Sequence, residues 1–215
     1  MFQDINWRYF AVSMLVLVVS LTVHELAHAK SAERAGDDTA RRAGRISINP
    51  LDHLDPMGTV MMILSSLSGF GIGWAKPVPI NPYKFHHPRW DNLKVSLWGP
   101  LSNLLLAFAA AQVLRFGQGH LTGIDAVIAV LFVVINLALA IFNLIPIAPL
   151  DGSHILSALL PIDQARRYDI FMGRYGFMIL LALVFIGPMT HVDLLEMVLL
   201  PPTRLLFHLF TGIPF

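Results

Sequence analysis

The chain contains no cysteine among its 215 residues, which excludes disulfide staples and thiolate metal ligands together. It is also poor in charge. Lys, Arg, Asp and Glu supply 13% of it, against about a quarter in an ordinary soluble domain. With 15 basic and 14 acidic residues the formal charge is +1, and no basic block of useful length occurs, which argues against a nucleic-acid partner. Internal repeats and low-complexity tracts are absent as well. What remains is 55% hydrophobic, with a mean hydropathy of +0.64. Several apolar runs approach the roughly 20 residues that cross a bilayer, so the composition predicts an all-α polytopic membrane protein. Any bound metal must be held by His, Asp or Glu.

The first apolar run, Phe10 to Val23, follows Arg8 and could pass for a signal peptide. It leads straight into His24 and Glu25 with no small-residue cleavage site before them, and so reads as a retained helix from about Trp7 to Glu33. Arg45 to Ile48 alternates like a short strand, and Asn49-Pro50 and Asp55-Pro56 break the chain. Met57 to Phe70 is apolar but brief, as expected of a re-entrant or tilted segment. Between Gly71 and Pro88, four prolines forbid a continuous helix; Val78 and Ile80 alternate with Pro77 and Pro79 as in an edge strand. Helices are predicted from about Asn92 to Phe116 and from about Ile124 to Ile145. A short one over Ser153 to Leu160 and further apolar segments at about Ile170–Ile186 and Val192–Phe210 follow. The expectation is a single domain over 1–215, with five or six spans and short re-entrant or β segments. Its core covers about 7–160, and its C-terminal helices about 170–213.

The chemistry is concentrated in His24-Glu25-Leu26-Ala27-His28. Two histidines four apart share one helical face and can reach one metal ion, and the carboxylate beside the first is placed to act on a water there. Dehydrating such a cluster in an apolar helix is costly unless it is used. Zinc hydrolases employ three protein ligands and keep the fourth position for water, so a third ligand is required. Asp151 is the leading candidate because it follows a helix break, Asn143 to Gly152, interrupted by Pro146 and Pro149. His154, His53 and Asp55 are alternatives; Asp193 and Glu196 fall near the opposite boundary. Basic residues cluster at Lys30–Arg45, Lys76–Lys94 and Arg166–Arg174, which places the motif and Asp151 at one depth near the cytoplasmic face. Asn103 lies one to two turns inside an apolar helix, where its amide needs a partner; an oxyanion or a neighbouring helix would serve.

These residues resemble the site-2 proteases, intramembrane zinc metalloproteases. The resemblance rests on His24 to Ala29, Gly44 to Pro50, Asp55 to Thr59, Gly73 to Pro82, Gly99-Pro100-Leu101-Ser102-Asn103 and Asn143 to Gly152, in family order over roughly residues 7 to 160. It implies one Zn2+ per chain held by His24, His28 and Asp151, Glu25 as catalytic base, and Asn103 binding substrate or the developing oxyanion. It further implies hydrolysis within transmembrane segments of membrane-protein substrates, in the lipid bilayer of the cell membrane. Ser153 stands where many relatives carry a second glycine. These 215 residues have room for neither the peptide-binding PDZ domain nor the nucleotide-sensing domain of many relatives. A metal transporter and an inactive binding scaffold are the competing readings; neither needs a base beside the first ligand. Substrate identity and oligomeric state are not legible.

Overall fold

A computed structural model describes residues 7–68, 73–117, 120–190 and 194–215, with backbone alone at 65–68 and 186–190. Phe70, His191, Val192 and Asp193 lie outside the described residues. Eight α-helices occur among those described: α1 Trp7–Arg34, α2 Thr39–Arg42, α3 Pro56–Ser68, α4 Pro88–Phe116, α5 Ile124–Asn143, α6 Asp151–Leu159, α7 Ile162–Thr190 and α8 Leu194–Thr211. Five of them, α1, α4, α5, α7 (over Ile162–Phe185) and α8, are long and apolar enough to cross a membrane. All five turn large apolar side chains outward, among them Leu15, Leu105, Val130, Phe177 and Leu205. In water such a belt would be a liability, and in lipid it is the expected outer surface.

The helix ends follow from local chemistry. The chain leaves α1 at Gly36, whose φ of +106° favours glycine, while the N–H of Asp37 bonds back to the Ala32 carbonyl at 2.9 Å and that of Gly36 to the Glu33 carbonyl at 3.1 Å. Asp37 is wholly buried just beyond, accepting the backbone N–H groups of Thr39 and Asn81 at 3.0 and 2.6 Å. It thereby ties the end of α1 to the proline-rich segment before α4. At the core, Ala107 and Ala111 of α4 meet Val133 and Leu137 of α5, with Phe207 of α8 packed over them. Small residues on α4 let the backbones approach closely, the usual basis of helix association where lipid offers no hydrophobic drive. The helix α4 also packs on α1 and α6, whereas α7 packs chiefly on α6 and α8.

One open expectation is narrowed and two are revised. The helix α3 has 13 residues, about 20 Å at 1.5 Å per residue, and falls short of the roughly 30 Å hydrocarbon core. Among the described residues it is not one of the five helices long and apolar enough to cross a membrane, in keeping with the re-entrant alternative. The strands expected at Arg45–Ile48 and around Val78 do not form; among the described residues the β structure reduces to one isolated bridge between Leu54 and Ala75. Pro77 and Pro79 cannot donate to a ladder, and Arg45 is instead buried with its guanidinium on the Pro77 and Lys76 carbonyls. Finally, α7 begins at Ile162, two turns before the predicted Ile170.

Candidate metal centre

His24 and His28 project from one face of α1 into the crevice between α1, α4 and α6, and both are buried. Their outer nitrogens are fixed by different partners on α4. His28 Nδ1 lies 2.8 Å from the backbone carbonyl of Val95; a carbonyl only accepts, so the proton sits on Nδ1. His24 Nδ1 lies 2.7 Å from Asn103 Oδ1 and donates likewise. In the neutral imidazoles each Nε2 then carries the lone pair, and the two face each other at 3.0 Å. Asp151 Oδ2 stands 3.3 Å from both and is a buried oxygen with no hydrogen-bond partner.

Three potential ligand atoms that converge within 3.0–3.3 Å of one another form a site that a cation would satisfy. A tetrahedral zinc with ligand bonds of about 2.0–2.1 Å has edges of about 3.3–3.4 Å between its ligand atoms, close to this triangle. The trio is also the only such cluster of His, Asp or Glu among the described residues. The donor set thus fits zinc. Gly99 makes room for it, because a Cβ there would sit 2.3 Å from His28 Nε2 and 2.7 Å from His24 Cε1.

Asp151 reaches this point because α5 ends at Asn143 and the proline-broken turn 144–150 redirects the chain before α6 starts at Asp151 itself. A carboxylate in the first turn of a helix is favourably placed against the helix dipole. The turn is braced from behind by α7. The Tyr168 hydroxyl donates to the Pro146 carbonyl at 2.8 Å, and a Cβ on Gly176 would lie 2.6 Å from the Ala148 carbonyl oxygen.

Glu25 lines the same cleft, of about 330 Å³, together with Val78, Asn143, Pro149 and His154. Its Oε2 accepts the backbone N–H of Val78 at 2.9 Å. The alternative third ligands lie elsewhere. His53 is buried with Nε2 donating to the Ser47 carbonyl at 2.9 Å, and Asp55 accepts the Gly58 N–H at 2.7 Å where α3 begins. His154 borders the cleft but is exposed and does not join the cluster.

Asn103, which the resemblance implied would bind substrate or the oxyanion, lies against His24. It is fully buried behind His24 and does not line the cleft. Its Nδ2 donates to the Ser20 carbonyl at 3.2 Å and to Asn136 Oδ1 at 2.8 Å, so both amide protons are engaged inside the bundle and neither is free for an oxyanion. Asn136 itself escaped the sequence reading. The available signal was a lone carboxamide in the middle of the otherwise apolar α5.

Comparison with known proteins identifies the family. The model of Peptidase family M50 matches residues 117–186, the part that carries Asp151. YwhC of Bacillus subtilis (strain 168), provisionally named a zinc metalloprotease, is 40% identical over 184 residues, covering 82% of this chain and 80% of its own. Rip2 of Mycolicibacterium smegmatis, with a name of the same kind, is 28% identical over 181 residues, covering 82% and 68%. Zinc metalloprotease MJ0392 of Methanocaldococcus jannaschii is 26% identical over 155 residues, covering 72% of this chain and 36% of its own. No solved structure matches significantly. The chain belongs to peptidase family M50, the site-2 protease family.

Proposed function

We propose that this M50 peptidase is a zinc-dependent endopeptidase whose centre is His24, His28 and Asp151, with Glu25 as general base, acting on peptide bonds within the transmembrane segments of membrane proteins. The observation that carries the reading is the closed triangle of three candidate ligand atoms, 3.0, 3.3 and 3.3 Å on its edges, between apolar membrane-type helices. That the enzyme is a zinc metalloprotease of a multi-pass membrane type follows from its family.

Zinc at this position supplies a Lewis acid that lowers the pKa of a water to about 7 and polarises the scissile carbonyl. The chain's own groups do the rest. Glu25 takes the proton from the attacking water and delivers it to the departing amine, so that one water is consumed and one acid and one amine are released. The Val78 N–H steadies the Glu25 carboxylate at the wall of the cleft. Asn103 and the Val95 carbonyl hold the two imidazoles so that Nε2 faces inward. In this assignment Asn103 is a positioning residue rather than the oxyanion donor.

The basic residues support a cytoplasmic orientation of the site. Lys84 bonds Asp38 at 2.7 Å, joining the cluster after α1 to that before α4, and Arg89 donates to the Ala158 carbonyl at 2.8 Å, joining the latter to the end of α6. All three clusters thus share one end of the bundle, as retained cytoplasmic loops would. Regulated cleavage of membrane-tethered proteins in the plasma membrane is the process this arrangement suits. The direct test is zinc content and cleavage of a model transmembrane substrate by the wild type and by Glu25→Ala. Zinc retained with cleavage abolished is expected; full cleavage by the variant would refute the assignment.

A further inference from the structure

Behind His24 lies a chain of buried side chains running through three helices. Ser20 Oγ on α1 donates to the Val16 carbonyl at 2.7 Å. Asn136 Nδ2 on α5 donates to Ser20 Oγ at 2.8 Å and to the Phe132 carbonyl at 2.9 Å. Asn103 Nδ2 on α4 donates to Asn136 Oδ1 at 2.8 Å and to the Ser20 carbonyl at 3.2 Å, and Asn103 Oδ1 accepts from His24 Nδ1 at 2.7 Å. Ser20, Asn103 and Asn136 are all wholly buried.

The direction of every bond in this chain is dictated by backbone carbonyls, which accept and never donate. The Phe132 carbonyl requires that Asn136 turn its NH2 group toward it. Reversing that amide would set two oxygens 2.9 Å apart. Asn136 therefore presents Oδ1 to Asn103. That oxygen and the Ser20 carbonyl together oblige Asn103 to turn its own NH2 toward them and its Oδ1 toward His24. A flipped Asn103 would place its oxygen against two other oxygens. Only one tautomer of His24 then survives, with the proton on Nδ1 and the lone pair on Nε2, the atom that faces His28 and Asp151.

We infer that Asn136, supported by Ser20, is a positioning residue of the metal centre: it fixes the amide of Asn103 and, through it, the tautomer and ring orientation of His24. The inference rests on the zinc assignment above and extends it to residues that touch neither metal nor substrate. Outer partners of metal-bound imidazoles typically carry about 10–100-fold in metal affinity. With Asn136 gone, Asn103 keeps only the Ser20 carbonyl to resist a flip, and a flipped amide would stabilise His24 with its proton on Nε2, where it cannot ligate.

Asn136→Leu, which keeps the branched shape and removes the polar edge, is the informative variant, with Ser20→Ala beside it. Full-length protein in detergent is titrated with zinc against a competing chelator, thermal unfolding is followed with and without zinc, and the histidine tautomers of the zinc-free protein are read from 15N chemical shifts. Asn136→Leu is expected to bind zinc about 10–100-fold more weakly, with a gain of the Nε2–H form at His24 and not at His28. Ser20→Ala is expected to lose less, because the Phe132 carbonyl still orients Asn136. Equal zinc affinity and an unchanged His24 tautomer in Asn136→Leu, with lowered unfolding temperature alone, would overturn the inference and leave Asn136 as packing. Wild-type protein that binds no zinc would instead overturn the metal assignment itself.

Discussion

The backbone N–H of Val78 donates to Oε2 of Glu25 at 2.9 Å, so the residue beside the first histidine is held from outside α1 by a segment 53 positions away. That segment, Pro77 to Ile80, is itself anchored: the Arg45 guanidinium holds the Pro77 carbonyl, and Val78 packs on Ala29 and Ala40. In place of the expected edge strand, the segment holds the proposed base. Val78→Pro deletes that one donor in a segment already rich in proline. Losing a hydrogen bond to a charged group is worth about 1.5–3 kcal/mol, or roughly 10–100-fold in kcat. Steady-state cleavage with zinc content measured alongside should show the fall in kcat with zinc unchanged; an unaltered kcat would contradict it.

A side chain at Gly99 of α4 would invade the ligand triangle, since its Cβ would fall 2.3 Å from His28 Nε2. Gly99→Ala should therefore lose zinc and cleavage together, even though alanine is the better helix former by about 1 kcal/mol. Zinc analysis of the purified variant, with circular dichroism to confirm retained helix, checks this. Zinc bound at wild-type affinity would contradict it.

The buttress behind Asp151 makes a separate claim. Gly176 of α7 lies against the turn that presents the proposed third ligand, with 2.6 Å between a built Cβ and the Ala148 carbonyl oxygen. Gly176→Leu should push α7 off the turn and weaken zinc binding about tenfold, in the range of outer contacts to metal sites, although it is far from His24 in sequence. Chelator competition measures it, and Gly173→Leu, where a Cβ meets nothing within 4 Å, is the matched control expected to show no change.

Asp37 gives the fold a dependence on acid. Burial alone would raise its pKa, but the N–H groups of Asn81 and Thr39, the Thr39 hydroxyl and the nearby Lys84 outweigh burial and hold the carboxyl below its ordinary 3.8. A carboxyl with a depressed folded value contributes stability that is present above the unfolded pKa and is lost as pH falls through the folded one. Asp37→Asn should thus lower the unfolding temperature at pH 6–7, and the gap to wild type should close only below about pH 4. A gap that stays constant to pH 3 would contradict this role.

Much of the centre was legible in the sequence because it is local. The four-residue spacing of His24 and His28 and the proline-broken approach to Asp151 are properties of single segments, and the structure brings those segments together. What escaped depends on contacts between helices far apart in the chain. Gly99 looked like part of a short motif, yet its function is to clear space for two imidazoles on α1. Asn136 and Gly176 earn their significance only once α5 and α7 are placed beside α4 and the turn before α6. The failed strands around Val78 show the same limit: the alternation with proline was real, but the N–H it exposed had a side-chain acceptor on α1. Asn103 was singled out as a polar residue needing a partner, and its amide bonds His24, the Ser20 carbonyl and Asn136.

The most direct test of the central claim is to locate the metal. Crystals of the zinc-loaded protein, with diffraction recorded on both sides of the zinc absorption edge, should give one anomalous peak per chain, about 2.0–2.2 Å from His24 Nε2, His28 Nε2 and a carboxylate oxygen of Asp151. A zinc ion found at His53 or His154, or a centre between the two histidines to which Asp151 does not contribute, would contradict the account.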